Sequence, residues 1–134
     1  MNKRIILTAS IFGALAVILG AFGAHGLEGK ITERQAANWD TAVQYHFYHT
    51  LALLFLSTFS RAKNDFIRVS FICFSVGIVL FSGSLYLMST YELTGFLKPA
   101  ILGPVTPIGG LLFIVGWVGL FVAIQLNLCT GENT

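Results

Sequence analysis

Long apolar runs separated by short polar stretches set the organisation of this chain. Four such runs can be read, roughly 5–24, 41–59, 67–88 and 105–126. Each approaches or exceeds the ~20 residues that a helix needs to cross a bilayer core. They leave only connectors and tails, so residues 1–134 are read as a single membrane domain. The expected fold is all-α, a bundle of four transmembrane helices with an outer interfacial helix before the second span.

The first run follows Met1-Asn2-Lys3-Arg4 and so imitates a secretory signal. Its apolar part exceeds the ~7–15 residues of a signal h-region, and Ala21-Phe22-Gly23 is only a passable cleavage site. It is therefore read as a retained membrane helix. Small residues recur along it at Ala9, Gly13, Ala16, Gly20 and Ala24, and along the fourth run at Gly109, Gly116 and Gly119. The third carries Ser75, Ser82 and Ser89 at intervals of seven. Such stripes let helices approach closely in lipid, where packing replaces the missing hydrophobic drive. They suit packing inside the bundle first, and a homo-oligomer contact second.

The connector 27–40 contains Thr32-Glu33-Arg34-Gln35, which fits a capping box with Thr32 as N-cap. A helix is thus predicted from about Glu33, continuous with the second run as far as Phe59, with Trp39 at the membrane–water boundary that indole favours. The other outer connector, 89–102, leads through Lys98-Pro99 to Gly103-Pro104-Val105-Thr106-Pro107, which predicts a bent or re-entrant start to the last helix. Prolines remove backbone donors, and irregular backbone at membrane depth must be covered by protein or water.

Composition agrees with this picture: 55% of residues are hydrophobic and 10% charged, against about a quarter charged in soluble domains. A net charge of +2 is too small and scattered for nucleic acid. Lys3, Arg4, Arg61, Lys63 and Arg68 fall on one side and Lys30, Arg34 and Lys98 on the other. The positive-inside rule then places both termini on the inner side of the membrane. Cys73 and Cys129 lie at different levels in a reducing setting, so no disulfide is expected.

All three histidines border one polar stretch. His25 ends the first run, and His46 and His49 lie at the start of the second, three residues apart and so near one helix face. Topology brings Gln44, Tyr45, Ser82, Ser84 and Thr106 to the same outer half, while Leu53 is read as lipid-facing. Ionisable groups near hydrocarbon are expensive, which makes this cluster the functional pointer of the chain. Four readings fit it. One is an interhelical hydrogen-bond network that locks the bundle. Another is a pocket for a small lipid-like or quinone-like amphiphile. A third is a channel or transporter with a histidine proton path. The last is a metal site of His25, His46 and His49, which no Cys or acid nearby supports. The first two are preferred, with His25, Gln44, Tyr45, His46, His49, Ser82, Ser84 and Thr106 as ligand-lining candidates. No catalytic pair, nucleotide loop or zinc-protease motif stands out, so enzymatic activity and a cofactor are not expected, and membrane lipids are the partners.

Four segments together carry a resemblance. They are Gly20-Ala21-Phe22-Gly23-Ala24-His25-Gly26-Leu27, Trp39-Asp40-Thr41-Ala42-Val43-Gln44-Tyr45-His46-Phe47-Tyr48-His49, Phe81-Ser82-Gly83-Ser84-Leu85-Tyr86 and Gly103-Pro104-Val105-Thr106-Pro107-Ile108-Gly109-Gly110. In this order they resemble the bacterial membrane family catalogued as domain of unknown function 423, related to eukaryotic transmembrane protein 256. The resemblance spans nearly the whole chain. It implies a small four-helix protein of the inner membrane without an established activity. Its motif residues map onto Gly23, His25, Gln44, Tyr45, His49, Ser82, Gly83, Pro104, Thr106 and Pro107, and it brings no catalytic roles with it.

Overall fold

The structure, a computed structural model, describes residues 2–59 and 65–131, with side chains as far as 126. Helix α1 (Lys3–Ala21) starts under Asn2, whose side chain accepts from the Ile5 amide, and widens into a π-turn at Phe22–Gly26. Helix α2 (Glu33–Leu56) opens with the expected capping box: Gln35 N–H donates to Thr32 Oγ1 at 3.2 Å, and Thr32 N–H to Gln35 Oε1 at 2.8 Å. The polar segment that precedes the second apolar run is thus the first turns of α2 itself. The Asn2 amide donates to the Ser57 carbonyl at 2.7 Å, pinning the start of α1 to the end of α2 and making the two antiparallel.

A second rod runs through α3 (Asp65–Gly77), a π segment (Ile78–Ser82) and α4 (Gly83–Ser89). Short helices α5 (Tyr91–Thr94) and α6 (Pro99–Leu102) follow, then α7 (Val105–Gly131). At the proline-rich entry α6 ends at Leu102 with Gly103 as its cap, a turn covers Gly103 and Pro104, and α7 restarts at Val105. Among the described residues there is no strand.

Packing proceeds in sequence, α1 on α2, α2 on the α3–α4 rod, and the rod on α7, while α1 and α7 share at most a marginal contact. The small-residue stripes explain how. Ala9 and Ala16 are buried, and Gly13 and Gly20 lie against Thr50 and Val43 of α2. Between α3 and α7 the fit is reciprocal. The Phe113 ring of α7 fills the space a Cβ at Gly77 would take, and the Phe74 ring of α3 does the same over Gly116. Phe74, Leu53 and Leu56 are fully buried at the centre. Leu53 therefore belongs to the core, not to the lipid face expected for it.

Among the described residues, three helical rods are long and apolar enough to cross a membrane: Lys3–Gly26, Asp65–Ser89 and Pro99–Leu126. The fourth expected span is not among them. Helix α2 has the length, but Gln44, His46 and His49 interrupt its middle, and Glu33, Arg34 and Asp40 precede them. Arg61 and Lys63, which supply much of the charge bias for orientation, lie outside the described residues, as does the side chain of Cys129. Cys73 is a buried free thiol.

Candidate functional site

His46 and His49 are both buried, yet they serve different layers. At about 100° per residue, positions three apart differ by roughly 60° around the helix. That angle is enough to send one ring to each side of the rod they pack against. The shared face expected from spacing does not become a shared site.

His49 turns toward α7. The Trp117 indole donates to its Nε2 at 3.2 Å. Indole N–H can only donate, so Nε2 accepts and the ring proton sits on Nδ1. From there it is given to the Tyr45 carbonyl at 2.7 Å. Both ring nitrogens are used and one tautomer is selected. The Phe113 ring lies on the imidazole, 3.5 Å between centroids and 6° from parallel, and Phe74 packs at 5.6 Å.

His46 turns toward α1 and α4. Its Nδ1 is 3.1 Å from the Tyr86 hydroxyl, where either atom can donate, and its ring meets Phe12 edge-on at 5.7 Å. Nε2 is buried and has no hydrogen-bond partner among the described residues. Tyr86 also packs on Trp39, at 4.6 Å between centroids. Trp39 is itself buried against the protein, where its N–H finds a partner. It donates to the Leu19 carbonyl at 2.9 Å, at the end of α1 where the π-turn shifts the backbone ladder. A π-turn often marks such a site.

The serines tie the remaining elements together. Ser82 Oγ donates to the Ala42 carbonyl at 2.8 Å, and Ser70 Oγ to that of Gly116 at 2.9 Å. Ser84 Oγ is 2.6 Å from Thr106 Oγ1, joining α4 to α7. Ser75 and Ser89, on the same predicted stripe as Ser82, keep buried hydroxyls without a partner among the described residues.

The eight candidate residues therefore separate. Ser82, Ser84, Thr106, His46 and His49 enter helix-to-helix hydrogen bonds, and Tyr45 stacks on His49 and Phe81. His25, at the end of the π-turn, and Gln44, on the outside of α2, are exposed and have no hydrogen bond or ring contact to the others. Among the described residues, no three His, Cys, Asp or Glu side chains converge into a set that could hold a metal. Trp117 and Phe113 are central here but were not legible as site residues inside an apolar run. The available signal was a tryptophan in mid-span, away from either interface, where its N–H needs a partner.

Because α1 does not close against α7, the side of the bundle between α2 and α7 stays open. A groove of about 780 Å³ runs along it, walled by Tyr45, Tyr48, His49, Phe81, Phe113 and Trp117, with Pro107, Gly110, Leu111 and Ile114 from α7. It continues past Tyr48 and Trp117 into a second section of about 520 Å³, between Leu51 and Phe55 on one side and Phe121 and Ile124 on the other. The histidine-level network forms the floor of the first section.

Residues 19–110 match the model of a family described as protein of unknown function DUF423. The membrane protein YwdK of Bacillus subtilis (strain 168) is 44% identical over 124 residues, covering 90% of this chain and 95% of its own. A membrane protein of Haemophilus influenzae is 38% identical over 121 residues, covering 90% and 92%, and one of Staphylococcus epidermidis is 40% identical, covering 90% and 94%. All three carry the family designation UPF0382. No solved structure matches the chain. Motifs, helices and relatives agree, and the chain belongs to the DUF423 family of membrane proteins.

Proposed function

We propose that this protein is a four-span component of the bacterial inner membrane that holds a small amphiphile in the groove between α2 and α7. In this reading the polar cluster locks the bundle and, through His49, gives the groove a rigid floor. The observation that carries it is the pair Trp117–His49. One indole–imidazole hydrogen bond, capped by the Phe113 ring, fixes the wall of a laterally open, aromatic cavity of ligand size. The section that Pro107 borders carries the phenols of Tyr45 and Tyr48, and the section beyond Tyr48 and Trp117 is lined by hydrocarbon side chains, which suits a head and a tail. From Tyr45 to Phe55 the groove follows α2 for about 15 Å at 1.5 Å per residue.

Helix α2 crosses as the fourth span in this proposal. Its polar middle is tolerable because His46, His49 and Thr50 are buried against other helices and bonded there. Both termini are cytoplasmic, as the five-to-three distribution of Lys and Arg favours.

Native mass spectrometry from a mild detergent tests the groove. The wild type should retain a bound amphiphile, and Leu111→Trp, which fills the groove from an exposed position, should release it. Equal retention by both proteins, or none by either, removes the reading. Single cysteines at Lys30 and Thr58, in a chain freed of Cys73 and Cys129, should label from opposite sides of the membrane. Labelling from one side would count against α2 as a span.

A further inference from the structure

We infer that the occupant of the α2–α7 groove is a neutral isoprenoid-type quinone and not a phospholipid, an inference that rests on the groove being an amphiphile site at all. Charge comes first. Among the described residues neither section of the groove is lined by a Lys, Arg, Asp or Glu, so the described walls offer a phosphate brought out of water no compensating charge. Shape comes second. The walls at the head end are ring faces: Tyr45 stacks toward Phe81 at 4.7 Å, and Phe113 lies flat on His49. Gly110 leaves the α7 side of this section without a side chain, and a Cβ there would meet only the Phe81 ring at ordinary contact distance. A flat ring fits such walls by offset stacking, whereas an acyl glycerol offers them no planar face.

Hydrogen bonding comes third. Both nitrogens of His49 and the Trp117 N–H are consumed within the protein, so they have nothing left to give a ligand. The Tyr45 and Tyr48 hydroxyls make no hydrogen bond among the described residues, although both side chains line the groove. The free groups are thus two phenolic donors, which suit the two carbonyl acceptors of a quinone ring. Beyond them the groove is lined by Leu51, Phe55, Phe121 and Ile124, a hydrocarbon channel for a branched tail.

The probe is a decyl-substituted benzoquinone, titrated into the purified full chain in detergent and followed by quenching of tryptophan fluorescence, since Trp117 borders the groove. Saturable quenching is expected that phosphatidylglycerol does not compete away. The double variant Tyr45→Phe/Tyr48→Phe should weaken binding on the order of tenfold through the loss of two neutral hydrogen bonds. Because neither hydroxyl has a partner among the described residues, that variant should melt like the wild type. Gly110→Leu should abolish saturation by filling the head section. Quinone that binds the double variant as tightly as the wild type overturns the inference. So does the absence of quinone binding while phospholipid co-purifies with the wild type and is lost from Gly110→Leu, a result that leaves the amphiphile site standing. If no amphiphile of either kind is retained, both readings fall together.

Discussion

The indole of Trp39 occupies the space that a side chain at Gly23 would need. A Cβ built at position 23 would fall on Nε1 and Cδ1 of the ring. Contact this close is possible only for glycine, and it holds the indole where its N–H reaches the Leu19 carbonyl. The π-turn and the tryptophan thus form one joint between α1 and α2.

Gly23→Ala should therefore destabilise the bundle more than its size suggests. The added methyl cannot be absorbed by rotating a flexible tip; it must push out a buried ring and break the bond to Leu19. Overpacking of this kind costs about 1–3 kcal/mol, and the lost hydrogen bond adds to it. Gly83→Ala is the control, because a Cβ there meets nothing within 4 Å. It should be neutral or stabilise by up to about 1 kcal/mol, as alanine does over glycine in a helix. Thermal unfolding in detergent would measure both. Equal midpoints for the two variants would contradict the joint.

The histidines give a graded series. His49→Ala removes a stacked ring and leaves the Trp117 N–H and the Tyr45 carbonyl without their partner, an expected loss of about 3 kcal/mol. His49→Phe keeps the stack on Phe113 but not the acceptor, so it should lose about half as much. His25→Ala lies at an exposed position and should stay within about 0.5 kcal/mol of the wild type. Were His25→Ala as damaging as His49→Ala, the separation of the three histidines would be wrong.

What the sequence discloses here depends on the range of the interaction. The capping box at Thr32–Gln35 is local and reads directly, and the apolar runs report the rods because lipid exposure demands them. The small-residue stripes foretell close packing but not its partners: nothing in the spacing says that Phe113 seats on Gly77 while Phe74 seats on Gly116. The burial of Trp39 rests on a bond to the Leu19 carbonyl twenty residues away, which no local pattern around the tryptophan discloses. His46 and His49 look paired because spacing gives an angle, and an angle of 60° does not say what lies on either side. Helix α2 is the reverse case: the run 41–59 reads as a span, yet Gln44, His46 and His49 keep the helix that forms out of the set apolar enough to cross.

Close approach of backbone to backbone is the most demanding contact in the structure. A Cβ at Gly109 would strike the backbone nitrogen and Cα of Phe81, in the π segment, with no side chain able to yield. Gly109→Ala should separate α7 from the rod and cost about 3 kcal/mol, the upper end for overpacking. The adjacent Gly110→Ala meets only the Phe81 ring, at 3.7 Å, and should be neutral or slightly stabilising. Chemical unfolding of the two proteins side by side would check the contrast. A tolerated alanine at 109 would mean that α7 stands further from Phe81 than described.

Ser82 and Ser89 share one stripe but should respond with opposite sign. Ser82 is fully buried and its hydroxyl bonds to the Ala42 carbonyl, so Ser82→Ala loses an interhelical contact. Such bonds in membrane bundles average about 0.6 kcal/mol and reach about 1.7. Ser89 is equally buried, yet its Oγ has no partner. Removing an unpaired hydroxyl from an apolar site relieves its desolvation, so Ser89→Ala should raise stability by up to about 1 kcal/mol. Thermal midpoints of the two single variants and of the double variant decide the matter. The double variant should fall near the sum of the singles, since the two serines share no hydrogen bond. A loss of stability in Ser89→Ala comparable to that in Ser82→Ala would show that the Ser89 hydroxyl has a partner after all.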